Sequence, residues 1–430
     1  MQPPQINRKS PATAAAIAVH PKTAIHLGEM SLIVLLAMLM GGASIVALGS
    51  YDHPLDPIWF RVRYGLVGIP LVIFIATAIF KPASILQPRF VLLLLLWLCF
   101  GTAAVLSGLV NENAKALNDG VWLLIGVPCL FFYALPRAAG RSMEAVMAWG
   151  LILGHVPYAI GSVVLSPPAS LPYAGVFSNS NQLGITMLTI CCGLLILLNK
   201  TLLDPPRPFR TLNLFGLSGA LILTFGLISI SNSRTSLLGG LIGLCVALYP
   251  AFLTLQRPRN LARLLLFGLG LAGTLMLYWG NDLSAMVQGL EAGYDDKLES
   301  NDTFNGRSYI WGKTFQDARL FGYGSNDYFM QQFNLGGHNS LIDILGQNGL
   351  IAAYLMVIFA LMSFYAAYRF FLEQSAVNPY AIAPLLVSIL FWIVSMAESM
   401  FGALGRGLTI AYLLSIGLML YRPQQNSRLG

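Results

Sequence analysis

The chain has 430 residues, with 25 Lys plus Arg against 18 Asp plus Glu and a formal net charge of +7. Apolar residues make up 56% and charged residues only 10%, where a soluble domain carries about 25% charged residues. That balance excludes an ordinary soluble enzyme, a disordered chain and a nucleic-acid binder. A spanning helix needs roughly 20 mostly apolar residues, and such stretches recur along nearly the whole chain. The runs are continuous rather than alternating, which argues against a membrane barrel. The composition therefore predicts an all-α polytopic membrane protein.

The first 29 residues are moderately polar, with Arg8, Lys9 and Lys22 ahead of the first apolar run. No small-residue cleavage site clearly follows that run, so a retained first span is expected rather than a cleaved signal. Twelve spans are predicted, near 30–49, 64–80, 90–110, 118–135, 144–165, 182–199, 211–230, 235–255, 261–280, 346–368, 379–398 and 405–421. Pro70, Pro128 and Pro157 fall inside spans, where bundle neighbours satisfy the backbone groups that they free.

Charge asymmetry gives an expected orientation. With the N-terminus inside, sixteen of the 25 Lys and Arg fall in inner segments and nine in outer ones. The expected organisation is then a cytoplasmic segment 1–29 and helices one to nine over 30–280. A large periplasmic loop 281–338, helices ten to twelve over 339–421 and a cytoplasmic tail 422–430 complete it. Both termini are expected in the cytoplasm.

The outer loop 281–338 is the only long hydrophilic segment between spans, and it is rich in Asp, Glu and aromatic residues. A loop of that length usually carries function. Short helices are expected within it, for instance from Ser308 to Arg319. All five cysteines lie inside apolar runs, so the chain implies neither a disulfide framework nor a Cys-based metal site. The spans hold few ionisable groups, chiefly His155 mid-span and Glu144 and Glu398 near span ends. Ion-driven transporters usually place carboxylates or His chains within the membrane. No P-loop and no HExxH motif is present, which leaves ATP-driven transport and zinc hydrolysis without support.

Four short segments stand out, all at the expected outer rim. They are Gly175 to Gln182, with Asn181; Ser231 to Leu238, with Arg234; Asn305 to Trp311, with Arg307, running on to Leu320–Gly324; and Gly336 to Ser340, with His338 and Asn339 and then Asp343 and Gly349. Two arginines and a histidine thus share one membrane face. Arg presents a planar donor fork that matches phosphate oxygens, and His is well poised to take a proton near neutral pH. The set suits transfer from a lipid-linked phosphate or pyrophosphate donor to an acceptor hydroxyl.

These segments, in this order, resemble the O-antigen ligase/polymerase superfamily of bacterial surface-glycan assembly. Ser233 to Gly240 is similar to the family's Arg-x3-Leu element, and Gly306–Trp311 with Gly322-Tyr323-Gly324 to the start of its periplasmic loop. His338-Asn339, nine residues and Gly349 resemble the ligase signature, which here ends on Ala352 in place of Gly, Thr or Tyr. The specific likeness covers about residues 175–355. It implies a metal-independent, cofactor-free glycosyltransferase of the GT-C type in the bacterial inner membrane, with its site facing the periplasm. The implied donor is a glycan on undecaprenyl pyrophosphate, and the implied ligase acceptor is lipid A-core oligosaccharide. Carried over by position, His338 is the catalytic base, Arg234 and Arg307 bind pyrophosphate, and Asn181, Asn339 and Asp343 are supporting residues.

Plainer readings stand beside each assignment. Arg234 can snorkel to a headgroup, Arg307 can pair with Asp302 or Asp317, and His338 can be an ordinary turn residue. Ser340-x-x-Asp343 fits a capping box at the start of span ten, and His155 fits a hydrogen-bonded bundle residue. The alternative functions are a polysaccharide polymerase, whose acceptor is a second lipid-linked glycan, and a flippase for lipid-linked glycans. A protein-directed oligosaccharyltransferase fits less well, because the chain has little beyond its core spans.

Overall fold

The computed structural model describes residues 27–48, 57–81, 84–140, 143–168, 171–203, 210–253, 307–325, 327–375, 377–401 and 405–423. The ninth expected span, 261–280, and the outer loop up to residue 306 lie outside the described residues.

Within them the chain is a bundle of helices. In order these are α1 (Leu27–Ser44), α2 (Pro57–Phe80), α3 (Val91–Val110), α4 (Ala114–Ala139), α5 (Met143–Leu165), α6 (Ser180–Leu203), α7 (Arg210–Ile230) and α8 (Arg234–Leu253). Then come α9 (Arg307–Gln316), α10 (Asp327–Phe333), α11 (Ser340–Gln374), α12 (Ala383–Ser395) and α13 (Gly407–Leu420). Eight of them are long and apolar enough to cross a membrane, and α8, α12 and α13 are shorter apolar helices. They occupy eleven of the twelve expected positions. The protein is an all-α polytopic membrane protein, and α9 falls where a short loop helix is expected.

Several boundaries differ from the expected ones. Helix α2 begins at Pro57, so Arg61 and Arg63 ride in its first two turns, where long stems let the charged heads reach water. Helix α4 begins at Ala114, where the Asn113 side chain caps it by accepting the Ala116 N–H at 3.0 Å. It then loosens into π-helical turns around Pro128, which has no N–H for a regular ladder. One small ribbon departs from the helical rule. β1 (Ser84–Leu86) pairs antiparallel with β2 (Tyr421–Pro423), tying the α2–α3 connection to the end of α13. Three residues are too few to show an alternating pattern in sequence.

Helices α6 and α13 lie at the centre. Residues 183–199 of α6 and all of α13 are buried, as an all-round apolar helix should be in a bundle interior. Helices α1 and α5 cross closely, since a Cβ on Gly41 would stand 2.5 Å from the Gly154 carbonyl oxygen. In lipid, where apolar area gives no driving force between helices, such small-residue crossings supply the packing. Trp97 anchors an aromatic core, with ring centroids 5.1 Å from Phe132, 5.2 Å from Phe359 and 5.6 Å from Phe401.

Helix α11 is broken at Gly349, which has φ 89° and ψ −176°. Its freed backbone groups are taken by the segment 319–324. The Tyr323 N–H donates to the Gly346 carbonyl and the Gly324 N–H to Gln347, each at 2.9 Å, while the Leu350 N–H donates to the Arg319 carbonyl at 3.0 Å. The Ser107 hydroxyl adds bonds to the Phe321 and Gln347 carbonyls. A Cβ on Gly349 would lie 2.3 Å from the Gly322 nitrogen. Non-helical backbone at this depth is tolerated because protein encloses and satisfies it.

The starts of α6, α8, α9, α11 and α13 share one end of the bundle with the ends of α3, α7 and α12. The opposite end carries Lys81, Arg89, Arg137, Lys200 and Arg369, with Arg89 paired to Glu373. Two outcomes are expected. Gly349→Ala should cost at least the roughly 1–3 kcal/mol of a strained backbone position and lower the Tm in detergent. Gly68→Ala on α2, where a Cβ meets nothing within 4 Å, should leave it unchanged. Equal Tm values for the two variants would mean that the break tolerates a side chain. For orientation, a cysteine replacing the exposed Gln316 should react with an impermeant thiol reagent in intact cells. One replacing Val377, 68% exposed, should react only after permeabilisation, and the reverse pattern would invert the topology.

Candidate functional site

The site is built on the segment that follows α12. Glu398 lies there, its side chain 11% exposed, and a carboxylate so placed must be partnered. Three elements supply the partners. Asn181, in the first turn of α6, donates its Nδ2–H to Glu398 Oε1 at 3.0 Å. Arg307, the first residue of α9, places a guanidinium nitrogen 3.8 Å from the same oxygen and donates another N–H to the Ala397 carbonyl at 2.8 Å. His338 places Nδ1 at 3.8 Å from Glu398 Oε2.

Arg406, immediately before α13, feels the Glu398 charge. Its NH1 nitrogen is buried with no hydrogen-bond partner among the described residues.

The backbone holds this cluster in register. His338 has φ 49°, in the left-handed region that a non-glycine residue seldom adopts. Gly337 is held by its N–H, which donates to Asp343 Oδ1 at 3.1 Å, and by its carbonyl, which accepts from the Trp311 indole at 2.8 Å. Asn339 caps α11, its Oδ1 accepting the Leu341 and Ile342 N–H groups at 2.9 and 3.3 Å. Its Nδ2 donates to the Met396 carbonyl at 2.9 Å. The Ser340 hydroxyl donates to the Glu398 carbonyl and accepts the Met400 and Phe401 N–H groups at 2.9 and 3.0 Å. The start of α11 is thereby sewn to the 396–401 segment on both sides of Glu398.

The expected capping box is corrected by this geometry. Asn339, not Ser340, is the N-cap, because Ser340 is already helical and its hydroxyl is committed to the 398–401 backbone. Asp343 bonds back to Gly337 instead, with Ser399 as a side-chain partner. Arg307 pairs with Glu398 rather than with Asp317, whose carboxylate meets Lys313 at 3.2 Å; Asp302 lies outside the described residues. His155, buried, bonds Ser44 at 3.1 Å and the Leu151 carbonyl at 2.8 Å, as a bundle residue should.

Arg234 stands apart from this cluster. It is the first residue of α8, it is exposed, and its side chain makes no hydrogen bond among the described residues. Its neighbour Ser233 packs on Gly184, one turn into α6 from Asn181, so the start of α8 lies against the helix that carries Asn181.

Glu398 and Arg406 are the two residues that the sequence reading missed as site residues. Both lie in short connections outside any motif. The available signal was a carboxylate at a span end and a basic residue in an outer connection, against the charge bias. Chemically, the arrangement offers cationic forks for an anion and a carboxylate-oriented imidazole for a proton. Among the described residues no group of three or more His, Cys, Asp or Glu is placed to share a metal ion.

Glu398 is buried while Arg307 and His338 are half-buried, so removing the carboxylate costs less than the roughly 3–5 kcal/mol of a fully buried pair. Glu398→Ala should therefore lower the Tm in detergent clearly, and Glu398→Gln less, since the amide oxygen can still accept from Asn181. A Glu398→Ala protein as stable as the parent would show that the cluster stands without its carboxylate. In comparisons with known proteins, no family model matches the chain and the curated proteins contain no match to it.

Proposed function

We propose that the protein is a GT-C-type glycosyltransferase of the O-antigen ligase/polymerase superfamily. It moves a glycan from undecaprenyl pyrophosphate to a hydroxyl of lipid A-core oligosaccharide at the periplasmic face of the bacterial inner membrane. The observation that carries this reading is the meeting of Arg307, His338 and Asn181 on Glu398, from three segments far apart in sequence.

The chemistry follows from the placement. The acceptor hydroxyl must lose its proton as its oxygen bonds the anomeric carbon, while the carbon–phosphate oxygen bond breaks and its electron pair leaves on the pyrophosphate. Glu398 Oε2 stands 3.8 Å from His338 Nδ1, so Nε2 is the ring nitrogen left to face the acceptor hydroxyl. Arg307, Arg406 and Arg234 stabilise the charge that develops on the leaving pyrophosphate. No step calls for a metal or cofactor.

The donor's tail also has a place to lie. An apolar groove of ≈ 690 Å³ runs between α1, α2 and α5, lined in part by Gly41, Gly42, Pro157 and Tyr158. It reaches the site end through Leu48 and Val176. That strip is held by the Ser178 N–H donating to the Ala47 carbonyl at 3.1 Å, and it continues into Asn181.

The polymerase reading shares donor and site and differs only in acceptor. Ala352, where the ligase signature ends differently, is fully buried in the second half of α11. Its departure therefore concerns packing rather than the cluster.

His338→Ala should reduce turnover by about 10²–10⁴-fold, the usual loss for a positioned base, with donor affinity nearly intact. His338→Gln should not restore it. A collapse of donor affinity with turnover preserved at saturating donor would make His338 a binding residue. In a deletion strain, accumulation of long lipid-linked chains with bare core indicates a ligase, whereas core bearing a single repeat indicates a polymerase.

A further inference from the structure

A second cavity lies behind the Glu398 cluster. It measures ≈ 290 Å³ and opens between the start of α4, the first half of α11 and the 399–401 segment. Lys115, Asp119 and Asn348 line it, Trp122 forms part of its wall, and Asp343 with Ser399 closes its inner side. Those last two residues border the His338–Glu398 site directly, since Asp343 holds the Gly337 N–H and feels the charges of His338 and Glu398. The cavity and the cluster therefore share one wall.

We propose that this cavity is the acceptor subsite, holding an uncharged sugar ring whose hydroxyl faces the cluster across Asp343. The inference rests on the glycosyl-transfer reading above and adds where the acceptor binds. Charge is the first argument. The cluster side carries Arg307 and Arg406 against Glu398, whereas the cavity carries Lys115 against Asp119 and Asp343. A pyrophosphate is drawn to the first and repelled by the second. Lining chemistry is the second. Ammonium, carboxylate and amide groups around an aromatic wall match a ring with hydroxyls on its edge and C–H groups on its face. Size is the third. Small-molecule pockets span roughly 300–1,000 Å³, so this one takes a sugar ring and not a chain. Geometry is the fourth. In a direct displacement the nucleophile enters opposite the leaving group, so donor phosphate and acceptor need separate approaches to the same carbon.

The fold explains why the cavity exists. The break at Gly349 ends the first half of α11 at Asn348 and lets the segment 319–324 fill the gap. Asn113 starts α4 on the other side, and Lys115 and Asp119, four residues apart, share one helix face.

The test uses the full chain in detergent with lipid A-core as acceptor and the undecaprenyl-pyrophosphate glycan as donor. Lys115→Ala, Asp119→Asn and Asn348→Ala should each raise acceptor KM by about ten-fold, the loss of one good polar contact. Donor KM and kcat should hardly change. A second readout needs no turnover. A benzophenone amino acid replacing exposed Asn118 should crosslink lipid A-core under light without donor, and free core oligosaccharide should compete. Transfer with unchanged acceptor KM in all three variants, or no crosslink in a chain that transfers, overturns the subsite and leaves the reaction standing. A crosslink in a chain that never transfers keeps the subsite and overturns the reaction. Absence of both overturns both.

Discussion

A carboxylate taken most of the way out of water has to be surrounded by donors, and much of this end of the bundle is arranged to meet that demand at Glu398. Asn181 from α6, Arg307 from α9 and His338 before α11 all point at its two oxygens. Each comes from a different part of the chain, so the carboxylate acts as a meeting point for the starts of three helices. Its backbone is held as firmly as its side chain, through Ser340 on one side and Asn339 on the other. Arg307 stands 3.8 Å from the carboxylate, the distance of an ion pair rather than a tight hydrogen bond, and the His338 imidazole stands equally far. That leaves the outer faces of the guanidinium and the imidazole available to a ligand.

The break in α11 sets where this cluster sits. A continuous helix from 340 to 374 would satisfy its own carbonyls and leave the 319–324 segment nothing to bind. Gly349 opens the ladder, Gly322 approaches where no Cβ could fit, and the loop supplies the missing partners. The first half of α11 becomes a separate short helix whose start carries Asn339 and whose end borders the small cavity. Trp311 and Asp343 then hold Gly337 from opposite sides, which fixes the unusual backbone of His338. Strain of this kind persists only where its surroundings over-determine it, and here they do.

The result is a polarised site. Arg307 and Arg406 gather about Glu398, and a mixed, net acidic cavity adjoins it through Asp343 and Ser399. Glycosyl transfer from a lipid pyrophosphate, as proposed, requires such a division, because the leaving group is an anion and the acceptor is not. The apolar groove along α1, α2 and α5 approaches the same rim through Leu48 and Val176.

Composition and hydropathy alone determined the class of the protein and the positions of eleven helices, because burying twenty apolar residues in lipid leaves the backbone little choice but a helix. The short motifs also marked Asn181, Arg307, His338 and Asn339 as residues of one face, and Asn339 as part of the start of α11. Other features depended on contacts between distant segments. Gly349 was visible as a motif position, but its role as a helix break needed Gly322 and Arg319 to be seen beside it. Ser340 fitted a cap by spacing, yet its hydroxyl is claimed by a segment some sixty residues away, so the cap passes to Asn339. Glu398 and Arg406 sit in connections with no local pattern, and nothing near them in sequence reports what they face. Local rules act over a few residues, whereas the partner of a buried charge is chosen by packing, and only the tertiary structure brings that partner into reach.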